Sequence, residues 1–318
     1  MKYEQIKYVK RPVSKLVFGC AFPAMINGED LSDVLDAAIA SGINTFDTAE
    51  NYGKSELVLG EWIKSRGIRN DVVVISKGYH PYGTDRLTVK ELCKDLDNSL
   101  IRLKTDSIDV YMLHRDVLSE PVGPIVEKLN EYHKAGHIGS FGGSNWSYER
   151  ISEANTYAAE HSLVPFSVTS PGYSLAIQYK DPWGGSAGCV SLSGNAHKKD
   201  RQWYADNDIT VFAYSSLAHG MFSGRLKSAQ REHAAEILDD AAMVSYCYDE
   251  NFARLKRTEE LASQKGCTVS QIALAYLLSQ KPLRVFPVIT ATKAHHLSNN
   301  VGALDITLSA HELDYLEG

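Results

Sequence analysis

Short apolar runs rich in β-branched residues alternate with amphipathic stretches almost from end to end, and this alternation constrains the fold more than any other feature. Val17-Phe18-Gly19-Cys20 reads as a first short strand. A helix follows over Asp30 to Ser41, with Leu31, Val34, Leu35, Ala38 and Ile39 on one face and Gly42 in the usual post-helix position. The pattern then repeats. Strands over 43–46, 72–76, 108–113 and 139–143 precede helices over 54–66, 88–103, 122–135 and 148–161. Three more strands are expected near 166–169, 209–214 and 284–288, with further helices over 268–280, 293–299 and 309–317. Runs of this kind are buried parallel strands. Eight such units without a break in composition predict one α/β domain over residues 1–318, a closed (β/α)8 TIM barrel. Tyr3–Ser14 predicts a short hairpin ahead of it. Residues 175–196 and 216–248 break the rhythm as long loops after strands six and seven, so both are expected on the face that carries the strands' carboxyl ends.

Composition narrows the partners. A net charge of -6 and a pI near 6.0 argue against a nucleic-acid surface. No apolar run is long enough to cross a bilayer, and the first residues do not resemble a signal peptide. The five cysteines are odd in number and scattered, with no C-x-x-C pair. That usage predicts a reducing compartment, the cytoplasm, and no structural zinc. Nothing in the sequence sets the oligomeric state.

Polar groups stand at the expected strand ends, where α/β proteins place their chemistry. Asp47 ends the second barrel strand and Tyr52 follows five positions later; Lys77 ends the third and His114 the fourth. A carboxylate, a phenol, an amine and an imidazole are a complete kit for acid-assisted reduction of a carbonyl. The phenol's ordinary pKa of about 10 is too high for easy proton transfer at neutral pH. A nearby ammonium favours the phenolate, so Lys77, held by Asp47, would make the Tyr52 proton more available. His114 would donate a hydrogen bond to the carbonyl oxygen. No side chain supplies hydride, so a nicotinamide is implied.

Asn44-Thr45-Phe46-Asp47-Thr48-Ala49-Glu50-Asn51-Tyr52-Gly53 resembles the signature of the aldo-keto reductase family, and Ser76-Lys77 and Leu113-His114 are similar to the places of its Lys and His. Gly143-Ser144-Asn145-Trp146 and Ala213-Tyr214-Ser215-Ser216-Leu217 resemble its cofactor segments after strands five and seven. The resemblance runs from the strand carrying Gly19 to Asn300. It implies reduction of an aldehyde, ketone or sugar with NADP, or NAD, on Asp47, Tyr52, Lys77 and His114. It also implies cofactor contacts at Gly19 and Cys20, at Ser144 and Asn145 on the carboxamide, and at Tyr214 on the nicotinamide face. Ser215, Leu217, Gly220 and Arg225 would meet the diphosphate. Thr290, Lys293, His296 and Asn300 would lie at the adenine end, with Lys293 and His296 available to a 2′-phosphate.

Three features depart from the family pattern. Ser170 stands where a Gln is common, the adenine-end segment lacks its usual Arg, and no long C-terminal substrate loop follows the last helix. Substrate selection would then rest on other loops, with Trp146, Trp183 and Tyr82 as aromatic candidates. The resemblance also includes cofactor-binding regulatory subunits with little turnover, such as potassium-channel β-subunits. A metal-dependent barrel hydrolase is disfavoured. His295 and His296 are adjacent and would point apart on a helix, and His80 and His114 have no ligand-like pattern beside them.

Overall fold

The computed structural model describes residues 1–81, 88–183 and 188–318. A two-stranded hairpin, β1 (Tyr3–Glu4) and β2 (Val13–Ser14), precedes eight parallel strands that close into a barrel. These are β3 (Val17–Gly19), β4 (Thr45–Asp47), β5 (Val73–Gly78), β6 (Ile108–Leu113), β7 (Ile138–Ser144), β8 (Val168–Ser170), β9 (Thr210–Ala213) and β10 (Val285–Ile289). Each pairs with its sequence neighbour, and β10 closes on β3. The helices that cover them are α1 (Pro23–Asn27), α2 (Ser32–Ala40), α3 (Ser55–Arg66), α4 (Val89–Arg102), α5 (Val122–Lys134), α6 (Tyr148–Glu160) and α7 (Lys198–Asp206). Short α8 (Ala234–Ile237) and α9 (Asp240–Ser245) lie in the loop after β9, followed by α10 (Asp249–Lys265), α11 (Val269–Leu278), α12 (Ala294–Val301) and α13 (Ala310–Glu317).

The expected alternation is the observed one, with differences at the edges. The sixth barrel strand begins at Val168 instead of near 166; Phe166 packs on Trp146 with ring centroids 5.4 Å apart. Helices α7 and α10 had no counterpart among the expected elements. Both are strongly polar, so their apolar faces stand out poorly against the loops that precede them. Local stops behave as the chemistry requires. Gly42 has φ 84° after α2, and Gly67 and Gly266 take left-handed conformations after α3 and α10. Thr268 with Gln271 and Ser309 with Glu312 form capping boxes at α11 and α13.

The period of two along each strand divides the protein into two cores. Val73, Ile75, Val110, Met112, Val168, Phe212 and Phe286 point into the barrel, and Ile6, Val9 and Val13 of the hairpin region fill its lower end. Their alternates, such as Val72, Val74, Tyr111 and Leu113, pack outward against the helices. Burying each such side chain contributes about 1.5–3 kcal/mol. At Gly142 a Cβ would lie 1.8 Å from the Val168 carbonyl oxygen, so only glycine lets β7 approach β8 this closely.

The inward row also positions the site. Val73-Ile75 continues to Lys77, Val110-Met112 to His114, Val168 to Ser170, and Phe212 to Tyr214. The polar strand-end groups are thus the top rung of the interior core.

Candidate active site

At that end lies one cavity of about 1630 Å³. It is walled by Asp47, Tyr52, Lys77 and His114 at the strand ends and by Ser144, Asn145, Ser170 and Tyr214 beside them. It then runs past Ser215, Leu217, Gly220 and Arg225 to Thr290, His296 and Asn300, with Gly19 on its floor. Two expected residues stand apart. Cys20 is fully buried in the core, its thiol pushed up first by burial and then by Asp47. Lys293 is exposed at the start of α12 and does not line the cavity.

Lys77 Nζ lies 2.7 and 2.8 Å from the two carboxylate oxygens of Asp47 and donates to the Thr48 carbonyl at 2.9 Å. Both side chains are almost fully buried. Burial acts to discharge Lys77, but Asp47 and then Tyr52 outweigh it, so the net shift is upward and the ammonium is held charged. Nζ sits 5.2 Å from the centre of the Tyr52 ring. The phenol is raised above its ordinary value first by burial, against the pull of Lys77. The ammonium therefore limits a rise and does not by itself produce a low phenol pKa.

The His114 ring stands edge-on to Tyr52, with centroids 5.4 Å apart, and edge-on to His80 at 5.2 Å. Burial, then Lys77, His80 and Arg115, drive its pKa well below 6.5. The imidazole is neutral at pH 7 and can offer one N–H. Its Nδ1 is buried without a hydrogen-bond partner, an arrangement that awaits a polar group.

On the opposite wall Ser144 donates to the Ser170 carbonyl at 2.9 Å, and the Asn145 amide donates to Ser144 Oγ at 3.3 Å. The Tyr214 hydroxyl donates to Asn145 Oδ1 at 2.7 Å. Asn145 has φ 58°, and Ser215, Ala218 and His219 also have positive φ before Gly220 at 93°. Strained backbone of this kind gathers at ligand sites, and successive N–H groups in such turns form anion-binding hollows. A Cβ at Gly220 would lie 2.6 Å from an Arg225 guanidinium nitrogen, so glycine lets that charge fold onto the loop.

The aromatic candidates divide. Trp146 is buried against Phe166, donates to the Arg115 carbonyl at 3.0 Å and does not line the cavity. Trp183 is half exposed and stands over the cavity, 6.2 Å from Tyr214 and 5.5 Å from His219 by ring centroids. Tyr82 lies outside the described residues. His295 and His296 do not point apart: their rings meet edge-on at 4.3 Å, because both sit in the first turn of α12 and lean the same way. Among the described residues no three His, Cys, Asp or Glu side chains gather to hold a metal, and no helix is long and apolar enough to cross a membrane.

Sequence reasoning overlooked Arg115, although it directly follows His114 and lines the cavity. It also overlooked Glu259, Ser270 and Asn299, which enter the far end from helices α10, α11 and α12. For these the strand-end rule carries no signal.

Comparison with known proteins agrees with this geometry. Residues 15–318 match the aldo/keto reductase family. The chain is 27% identical to norsolorinic acid reductase B of Dothistroma septosporum, over 91% of this chain and 71% of that protein. It is 30% identical to aldo-keto reductase ausK of Emericella nidulans, over 90% and 71%. It is also 28% identical to a protein of Oryza sativa subsp. japonica named "Probable voltage-gated potassium channel subunit beta", over 96% and 92%. An eight-stranded parallel barrel with these strand-end groups, matched over nearly its whole length, belongs to the aldo-keto reductase family, whose reductases carry out nicotinamide-dependent carbonyl reduction.

Proposed function

We propose that this protein reduces a small aldehyde, ketone or sugar carbonyl to the alcohol, with Tyr52 as the proton donor. The observation that carries the reading is the meeting of Tyr52, His114 and the Lys77–Asp47 pair at one end of the cavity. Ser144, Asn145 and Tyr214 would hold a reduced nicotinamide, which when bound would supply the hydride, with its electron pair, to the carbonyl carbon. The Tyr52 hydroxyl gives its proton to the carbonyl oxygen. Neutral His114 orients that oxygen through its N–H and stabilises the charge that develops there. Lys77, charged against Asp47, steadies the phenolate left on Tyr52.

The chain's residues fit such a cofactor. The turn from Ser215 to Gly220, with positive φ at Ser215, Ala218, His219 and Gly220 and with Arg225 folded over it, suits a diphosphate. Ser144 and Asn145 suit a carboxamide. The cationic side chains Arg225 and Lys293 stand near the far end beside His295 and His296; burial first, then His295, Lys293 and Arg225, lower the His296 pKa. That positive charge favours NADP over NAD, through its extra phosphate. We also read residues 1–318 as one domain, acting in the cytoplasm.

The test is oxidation of NADPH and NADH, followed by absorbance, with a panel of aldehydes, ketones and sugars, beside Tyr52→Phe. Turnover that disappears in the variant with cofactor affinity retained supports the assignment; wild-type turnover in the variant removes Tyr52 from it. A second reading, a cofactor-binding regulatory subunit, is favoured by the likeness to the rice protein. Cofactor binding without turnover on any of the panel would select it.

A further inference from the structure

Arg115 is a cationic group of the site that the chemistry above leaves unused. It follows His114 immediately beyond β6 and lines the cavity beside Tyr52 and His114. Among the described residues its hydrogen bonds leave from one nitrogen: Nη1 donates to the Gly188 carbonyl at 2.7 Å and to Cys189 Sγ at 3.1 Å. Among the described residues no carboxylate stands within ion-pair distance of it, and Asp181 acts on it only from further away. The Cys189 thiol is pushed upward, first by burial, so it does not neutralise the guanidinium. The charge is also felt by Tyr52, His114 and Tyr214, which places it among the reacting groups.

A half-buried guanidinium is costly to leave without an anion, and its fork matches a carboxylate in two parallel bonds. The two contacts on Nη1 hold one arm of the fork to the loop after β8 and leave the rest of the guanidinium available. Trp183 across the cavity adds an apolar face for the carbon chain between the two polar ends of a substrate.

We propose that Arg115 forms a carboxylate-binding subsite, so that the substrates of the proposed reductase are carbonyl compounds bearing an acidic group. The inference rests on the reductase reading, and its test separates the two. Initial rates with NADPH are compared within two matched pairs, succinic semialdehyde against butanal and 4-carboxybenzaldehyde against benzaldehyde. The acidic member of at least one pair is expected to have the higher kcat/KM. Arg115→Met should reduce that preference ratio about ten- to a hundredfold, chiefly through KM, and Arg115→Lys should restore part of it. An equal or better rate for the neutral member of both pairs overturns the proposal while leaving the reductase reading intact. So does an acid preference that survives in Arg115→Met.

A second measurement is independent of turnover. Calorimetric titration of the NADP-loaded protein with 4-hydroxybutyrate and with 1-butanol should show tighter binding of the acid in the wild type and loss of that difference in Arg115→Met. Circular dichroism confirms that the variants are folded. Equal binding of acid and alcohol overturns the subsite even if no aldehyde is turned over, whereas selective acid binding without turnover keeps the subsite and rejects the reductase.

Discussion

Tyr214 donates its hydroxyl to the side-chain carbonyl of Asn145 across 2.7 Å, joining the end of β9 to the turn after β7. The same oxygen accepts from the Val190 amide at 3.2 Å, so one side chain ties two strand ends to the loop after β8. Burial first, and then Cys189, keep the phenol well above its ordinary pKa, so it remains a donor at any working pH. Tyr214→Phe retains the ring and deletes this bond. A net hydrogen bond is worth about 0.5–1.5 kcal/mol. Dissociation constants from fluorescence titration with NADPH should therefore rise about two- to tenfold. An unchanged constant would mean that the Asn145 orientation does not matter to the cofactor.

Tyr52→Phe removes only the proposed proton donor. General acid catalysis contributes about 10²–10⁴-fold, and kcat should fall by that order. Because the hydroxyl is not proposed to anchor the dinucleotide, the NADPH dissociation constant should stay within about twofold. A joint loss of both would point to a packing role instead.

Lys77→Met strands the Asp47 carboxylate in the interior. Breaking a buried pair by removing one partner costs about 3–5 kcal/mol. Urea denaturation should show a loss of that size, and the double variant Asp47→Asn with Lys77→Met should recover much of it. Equal stability of the single and double variants would mean that water reaches Asp47 freely.

His114 ties stability to pH. Its folded pKa lies well below 6.5, so between those two values the unfolded chain binds the extra proton. Stability from this group is present above about pH 6.5 and is lost as pH falls below it. Urea midpoints measured at about pH 7.5 and about pH 5.5 should differ less in His114→Asn than in the wild type. The same neutrality predicts that kcat/KM shows no loss from His114 protonation near pH 6.5. An acid limb at that pH, abolished in His114→Asn, would contradict it.

His296 supplies the pH signature of cofactor choice. Burial first, and then His295, Lys293 and Arg225, depress its pKa, and a bound 2′-phosphate would raise it again. Binding then takes up protons, so the ratio of NADH to NADPH dissociation constants should grow as pH falls from about 8 to about 6. His296→Gln should flatten that trend. Lys293→Ala should change the ratio less, since Lys293 is absent from the cavity wall. A trend carried by Lys293 would reverse the assignment.

The barrel and its strand-end groups were legible in the sequence because one rule governs both. An apolar run with period two announces its own inward row, and the next polar residue on that row must emerge at the rim. Lys77, His114 and Tyr214 follow from this, while Asp47, preceded on its face by Thr45, follows from its place at the end of β4. Arg115 did not, since it lies two residues beyond the end of β6, where the chain can turn either way. Nor did the net direction of the Tyr52 shift, which depends on burial against charge and needs distances. Residues such as Glu259 and Ser270 reach the cavity from helices, and helical periodicity does not say which flank faces a ligand. The contact between His295 and His296 depends on side-chain lean within a single helical turn.

The inward row has a consequence for how activity fails. Lys77 and His114 share a continuous stack with Ile75 and Met112, so they cannot be displaced without dismantling the barrel interior. Arg115, Trp183 and the 215–225 segment stand on connections outside that stack. Gentle heating should therefore act in two stages. Ligand affinity should weaken first, as those connections loosen, while the machinery for proton transfer remains in place. The chemistry itself should vanish only at the temperature where the hydrophobic interior melts, and abruptly.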